Sequence, residues 1–441
     1  MTIDTPGIPA EQQDAPLPDH LEWSLSARIG FRFAFCYWLL YCLPDPISDA
    51  IPGGSYLGRP FDWFWHRLTP WAAQHLLHLS GSRITYVQTG SGDTTLDFIQ
   101  NFLVVVIAVL ATLVWSLLDR KRKVYGTLYV WLRILVRFTL AFTLLSYGIV
   151  KILPTQFRPP SLMQLTETYG ESSPMGLLWT FMGASMPYTI FAGVAEATGG
   201  ALLLFRRTAL LGSLVASGVL LNIVILNFCY DVPVKIYSTN LLLMALFLLL
   251  PDVSRLANVF FFNRTAPPAN LTGPHLQMRW MRVSAKTLTF ALVAYFVATT
   301  AWGGWQGLQR SRAAGEPPVY GVYDVDSLTL NGNASATTDS ANPDWKQVIA
   351  EHGFWMMKDA DGTRTYFAPH FDAKAGVVDL FSWKTRSQLK LKYAQPDPQH
   401  LLLAGKSGDE DVVAHLHKVD ERQFLLTSRG FHWISEYPFN R

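Results

Sequence analysis

The sequence predicts an α-helical polytopic membrane protein of about seven transmembrane helices followed by an all-β sandwich or barrel domain. Three observations carry this. Of 441 residues, 50% are hydrophobic, 13% aromatic and only 16% charged, more apolar and less charged than a soluble domain. Apolar runs long enough to cross a bilayer recur until about residue 305, with Lys and Arg clusters at their ends. Beyond residue 309 short alternating stretches separated by turn signals replace them. The formal net charge of +3 is too small to imply nucleic acid, and the basic clusters flank apolar runs, where they set orientation. Cys36, Cys42 and Cys229 make no CxxC pair, no metal-ligand spacing and no disulfide framework, which speaks against a thioredoxin-like relay or a c-type haem; the thiols are expected to be unpaired.

Residues 1–24 contain Pro6, Pro9, Pro16 and Pro18 among acidic side chains and read as a disordered cytoplasmic tail. They have no basic n-region ahead of an apolar core, so they are not a cleavable signal. Residues 25–118 supply two spans and an external loop. The first span, Leu25 to Leu43, stops at Pro44, Asp45 and Pro46, and Arg28 and Arg32 at its start can snorkel to the headgroups. In the loop, WFWHRLTPWAAQHLLHL places Trp63, Trp65 and Trp71 on a helix lying flat at the bilayer surface. His75 and His78 stand at i and i+3 on that helix, but a Leu and Trp lining supplies no further ligands, so no metal site is predicted. The second span, Leu96 to Leu118, ends on Asp119 and the run Arg120, Lys121, Arg122, Lys123, which marks the cytoplasmic end.

Residues 119–262 hold four further spans. The third lies within Gly126 to Leu153, with Arg133 and Arg137 in its inner half and Lys151 at its outer end. An outer loop, Thr155 to Met186, contains Arg158 and a short run, MGLLWTFMG, expected to be re-entrant or interfacial. The fourth span, Pro187 to Phe205, carries Glu196 among Gly193, Gly199 and Gly200, a face that lets a neighbouring helix approach closely. The fifth, Thr208 to Cys229, is apolar apart from Ser213, Ser217, Asn222 and Asn227. A hairpin with Tyr230, Asp231 and Lys235 leads to the sixth, Ile236 to Leu250, which Pro251 ends. Residues 263–282 form a basic cytoplasmic linker and 283–309 the seventh span, leaving 310–441 outside.

In that last part VYGVYDV, GFWMMKD, TRTYFA, GVVDLFSW, QLKLKY, DVVAHLHKV and QFLLTS read as strands, roughly eight in all. His415 and His417 share one strand face, read as facing solvent. The end, RGFHWISEYPFNR, is rich in aromatic residues and Arg and suits docking.

The polar residues of the helical part form a candidate site. An ionisable side chain at a helix centre costs about 2.5 to 3.5 kcal/mol on insertion scales, so Glu196 needs a partner or a role. Lys151, Asp231 and Lys235 are expected to gather at the outer surface of one bundle, with Arg158 and Tyr230 in reach. Two ammonium groups beside one carboxylate leave a positive excess that suits a carbonyl, a quinol oxygen or an acidic headgroup. Counting about 1.5 Å per residue puts Glu196 roughly 13 Å deeper, at the foot of a pocket and out of contact with the cluster. The alternative is structural: Glu196 neutralises Arg137, and Asn222 and Asn227 bond across the bundle.

LLSYGIVKILP, SSPMGLLWTFMGASMPYTIFAGVAEATGGALLLFRRT and LNFCYDVPVKIYSTNLLLMALFLLLPD together resemble DoxX-type integral membrane proteins. That family is a four-helix membrane module whose second helix carries E-x-x-G-G-x-L-L-L, seen here as Glu196, Gly199, Gly200, Leu202, Leu203 and Leu204. The resemblance covers about Leu128 to Asn263; the other spans and the β domain are additions to the module. It implies membrane redox chemistry, as in the small subunit of a thiosulfate:quinone oxidoreductase, with a quinone as candidate cofactor. Since no haem, flavin or iron-sulfur motif is present, electrons would come from a redox partner protein. In architecture alone, helices followed by an external β-rich domain also match vitamin K-dependent carboxylase relatives. Three functions stay open: binding of a quinone-like or lipid molecule, a non-catalytic scaffold whose β domain recruits a partner, and transport, which no matching pair of broken helices supports. The expected location is the plasma membrane, with the N-terminus cytoplasmic and the β domain extracytoplasmic.

Overall fold

The computed structural model describes residues 22–44, 54–81, 84–87, 89–269, 271, 273–274, 277–313, 317–331, 333–334, 344–407 and 410–440. Most of the N-terminal tail therefore lies outside the described residues. The chain forms two compact units, Met1–Gln156 with Pro187–Leu308, and Phe157–Met186 with Gln309–Arg441.

The first unit is helical. Its elements are α1 (Leu25–Cys42), α2 (Ser55–His75), α3 (Thr95–Leu118), α4 (Gly126–Ile152), α7 (Met186–Leu203), α8 (Ala209–Cys229), α9 (Lys235–Leu249), α10 (Val253–Phe260) and α11 (Arg279–Ala313), the last running into the second unit. All seven apolar runs are helices, because each joins a long hydrophobic stretch to a start or stop signal. Ser24 caps α1 by accepting from Ala27 N. Thr94 and Asp97 make a reciprocal capping box on α3. Pro251 turns the end of α9 into a 3-10 turn before α10.

Fewer than seven of them qualify as spans. Among the described residues five helical stretches are long and apolar enough to cross a membrane, or six if α6 (Pro174–Ala184) and α7 count as one span broken at Ser185. The shortfall is α1, whose 18 residues include Arg28 and Arg32. Nor does Arg32 snorkel. It is 3% exposed and donates to Tyr125 Oη at 2.6 and 3.0 Å, Ser116 Oγ at 2.8 Å and the Asp119 carbonyl at 2.7 Å. Trp23 N bonds the Lys123 carbonyl at 3.2 Å, so the start of α1 is tied to the basic run after α3.

The core of this unit joins α1, α3, α4 and α9 through Phe31, Trp38, Leu103, Leu140, Leu241 and Met244. The second helix is amphipathic as expected, with Trp63 and Trp71 exposed and Trp65, Ala72 and Ala73 buried. It ends at His75, which stacks on Trp71, so His78, at φ +53°, is off the helix and the i, i+3 pair does not form. All three cysteines are free; Cys42 is buried and Cys229 exposed.

The second unit is a barrel. Its strands are β1 (Gly321–Leu330), β2 (Asn333–Ala334), β3 (Trp345–Glu351), β4 (Phe354–Asp359), β5 (Arg364–Asp372), β6 (Val377–Phe381), β7 (Gln388–Asp397), β8 (His400–Ser407) and β9 (Glu410–Lys418). Leaving aside the two-residue β2, eight antiparallel strands pair in sequence order, and β9 returns to β1 from Lys418 opposite Tyr323 to Val412 opposite Leu330. An eight-stranded barrel is just wide enough for side chains to fill, and Trp355, Met357, Phe367, Leu391, Leu403 and Leu416 fill this one.

Two strands escaped the sequence reading, and one predicted strand is absent. β3 loses its alternation because both of its faces are covered: Val348 and Ala350 point into the barrel, while Ile349 packs outside with Val322, Met356 and Leu162. β8 reads as a plain apolar run. QFLLTS instead forms a 3-10 turn and the short α12 (Leu425–Ser428). The outer loop expected over 155–186 contains α5 (Leu162–Thr166) and α6, the helix formed by the short apolar run, and from Phe157 to Met186 it belongs to the barrel's unit. Leu162 N donates to Glu351 Oε1 at 3.2 Å, and Arg364 pairs with Glu171 at 2.5 Å and Glu167 at 3.7 Å.

Candidate functional site

Glycines set the geometry of the helical unit. A Cβ at Gly148 of α4 would lie 2.7 Å from the Gly193 carbonyl, and one at Gly193 would lie 2.8 Å from the Gly148 carbonyl. Further along, a Cβ at Gly200 would stand 2.9 Å from the Ala141 carbonyl, and one at Gly212 of α8 would stand 2.8 Å from Leu203 N. Backbone thus meets backbone on both sides of α7, which only small residues permit.

That contact decides where Glu196 goes. Lys151 Nζ lies 2.8 Å from each Glu196 carboxylate oxygen, and both side chains are buried. The expected separation of these residues is overturned. It assumed that α4 and α7 end at one level, whereas the Gly148 to Gly193 crossing sets the last turn of α4 against the middle of α7. Arg137 is not the partner of Glu196 either; it lines a different cavity with Arg133 and Arg206.

The remaining predicted residues divide. Lys235 pairs with Asp231 at 2.8 Å across the hairpin, where Asp231 takes a left-handed φ of +50°. Asn227 Nδ2 donates to Ser238 Oγ at 3.0 Å, joining α8 to α9. Asn222 is exposed on α8 and is not part of a buried set. Tyr230 closes α8, its N–H bonding the Leu226 carbonyl at 2.9 Å. Arg158 is exposed and belongs to the barrel's unit.

Sequence reasoning missed Asp93. Its carboxylate accepts from Lys235 N at 2.7 Å and Ile236 N at 3.0 Å, capping α9, and it lies 3.8 Å from Lys235 Nζ. The neighbouring Gly92 N bonds the Pro233 carbonyl at 2.8 Å. An acid just ahead of a capping box was the only signal, and it pointed to α3 rather than to α9. Asp93→Ala is expected to lose about 1 to 2 kcal/mol of stability and to speed amide exchange in the first turn of α9, measured by hydrogen exchange.

Beside this hairpin opens a cleft of about 1510 Å³ among α1, α2, α3, α4, α9 and the loop before α3. Leu40, Val104, Leu241 and Met244 make its apolar wall; Asn101, Thr143, Tyr41 and Tyr237 supply polar atoms. Thr143 Oγ1 is buried with no hydrogen-bond partner. Asn101 belongs to a knot in which Tyr37 Oη donates to Asn240 Oδ1 at 2.5 Å and Asn240 Nδ2 to Asn101 Oδ1 at 3.4 Å. Tyr147 links the cleft to the ion pair: it lines the cleft, Lys151 Nζ sits 5.4 Å from its ring centre, and the Tyr237 ring lies tilted beside it with centres 6.2 Å apart. Such a site offers an apolar trough, a partnerless hydroxyl and aromatic faces, with a compensated charge pair one ring away. Among the described residues no group of three or more His, Cys, Asp or Glu is gathered as a metal site would need.

Comparison with known proteins adds one relative. Over 126 residues, 28% of this chain and 79% of the relative, the sequence is 35% identical to the uncharacterized protein YwoB of Bacillus subtilis (strain 168). No family model and no solved structure matches the chain. Through that shared stretch, the chain belongs to the family of YwoB.

Proposed function

We propose that this chain is a multi-pass membrane protein that binds a quinone-like or lipid molecule in the cleft between α1, α3, α4 and α9. The single observation that carries the reading is the cleft itself: about 1510 Å³, beyond the ~300 to 1000 Å³ of a drug-sized pocket and suited to a head with a long tail. An isoprenoid or acyl chain would lie against Val104, Leu241 and Met244. The oxygen-bearing head would meet the Thr143 hydroxyl and the Tyr147 and Tyr237 rings. Lys151 and Glu196, behind Tyr147, would set the charge around a reacting oxygen, since quinol chemistry takes up or releases protons. Resemblance to DoxX-type proteins supports a redox-associated role, with electrons supplied by a partner. In the arrangement proposed, Arg120 to Lys123 and Arg206 to Arg207 face the cytoplasm, and the cleft and barrel face outward.

A second reading is a scaffold, favoured by the chain end after the barrel. Phe431, Trp433, Ile434 and Tyr437 are 77 to 91% exposed there, a surface suited to a partner protein. One experiment separates the two: purification from native membranes, with mass spectrometry of co-purifying quinones, lipids and proteins. Leu241→Trp, which fills the cleft, should cut the retained small molecule at least about tenfold while the protein stays inserted. Retention equal to that of the parent protein, or a preparation carrying a partner protein and no small molecule, would reject cleft binding.

A further inference from the structure

A second cavity lies at the end of the helical unit where α4 begins and shares no lining residue with the cleft. It holds about 200 Å³ and is lined by Arg133, Arg137, Arg206 and Arg255, with Asp252 the one carboxylate on its wall. Arg133 and Arg137 are one turn apart on α4, Arg206 follows α7, and Arg255 is on α10. Asp252 is already engaged in an ion pair with Arg255. Among the described residues, Arg133, Arg137 and Arg206 have no carboxylate partner.

This arrangement is unfavourable as it stands. Like charges at i, i+4 repel, and the half-buried Arg133 and Arg137 give up part of their hydration with no counter-charge to replace it. Arg137 is half-buried, and its Nε is buried with no hydrogen-bond partner. Arg206 is held at the rim: its Nη1 donates to the Leu271 carbonyl at 3.3 Å, and a side chain at Gly273 would collide with its guanidinium. Guanidinium forks match the oxygens of phosphate. The volume is below the ~300 Å³ of a drug-sized pocket, enough for a phosphate group but small for a nucleotide.

We propose that this cavity binds a phosphate group through Arg133, Arg137 and Arg206, supplied either by the headgroup of an acidic phospholipid or by a free phosphate ion. The test uses the full chain in phosphatidylcholine discs and follows its thermal unfolding. One arm adds inorganic phosphate, and the other dopes the discs with phosphatidylglycerol. At least one arm should raise the unfolding temperature. A response to inorganic phosphate identifies the free ion; a response to phosphatidylglycerol alone identifies the headgroup. The double variant R133Q/R137Q should weaken that response by about tenfold or more. Arg206→Gln, at an exposed position, should weaken it as well and covers the case in which the double variant fails to fold. Lys121→Gln removes a cation outside the cavity and should leave the response intact. No response in either arm, or a loss in Lys121→Gln equal to that in Arg206→Gln, would overturn the proposal.

Discussion

Lys151→Met alone is expected to destabilise the protein by about 3 to 5 kcal/mol, because it strands a buried carboxylate. Glu196 is 3% exposed, and Lys151 Nζ bridges both of its oxygens at 2.8 Å. Glu196→Leu should cost a similar amount by stranding the ammonium. The double variant Lys151→Met with Glu196→Leu removes both desolvation costs and should recover most of the loss, giving a large coupling energy in a double-mutant cycle. Denaturation of the purified variants in detergent measures it. Losses that simply add would show that the two charges do not act as a pair. If the double variant is stable but retains no small molecule, the pair belongs to the binding site as well as to the scaffold.

Gly193→Val should be as damaging, by more than about 3 kcal/mol, for a different reason. A Cβ there would lie 2.8 Å from both the Gly148 carbonyl and Lys151 Cβ, and 3.0 Å from Ile152 N. None of these is the loose end of a side chain. The helices must separate, which opens the crossing that also holds Lys151 against Glu196. Gly218→Val is the matched control, since a Cβ at Gly218 of α8 meets nothing within 4 Å. Comparing the amount and melting temperature of inserted protein for the two variants distinguishes packing from helix propensity. Equal behaviour would mean that the α4–α7 contact is not close in solution.

The helices of this protein were readable because each long apolar run is bounded by a cap, a proline or a basic cluster. The face of Glu196 could also be read, from Gly193, Gly199 and Gly200 around it. Its partner could not, because the relative level of α4 and α7 is set by one backbone contact between residues 45 apart in sequence, Gly148 and Gly193. Asp93 was hidden for the same reason: it caps a helix 142 residues later. In the β part, period-two alternation indicated about eight strands but is the same in a sandwich and a barrel, so closure of β9 onto β1 was open. The covered outer face of β3 erased the alternation that would have marked it.

The attachment of α5 to the barrel imposes a rule of parity on the chain. Leu162 and Glu171, ahead of α7, bond to Glu351 and Arg364, beyond α11. A bilayer cannot pass between groups in contact, so if these helices span one, the chain between the two groups crosses it an even number of times. Three helical stretches in that interval are long and apolar enough to cross, α8, α9 with α10, and α11, or four if α6 and α7 together make one, and only four satisfies the rule. In a membrane, removing or adding a single crossing in this stretch would separate α5 from β3 by the thickness of the bilayer.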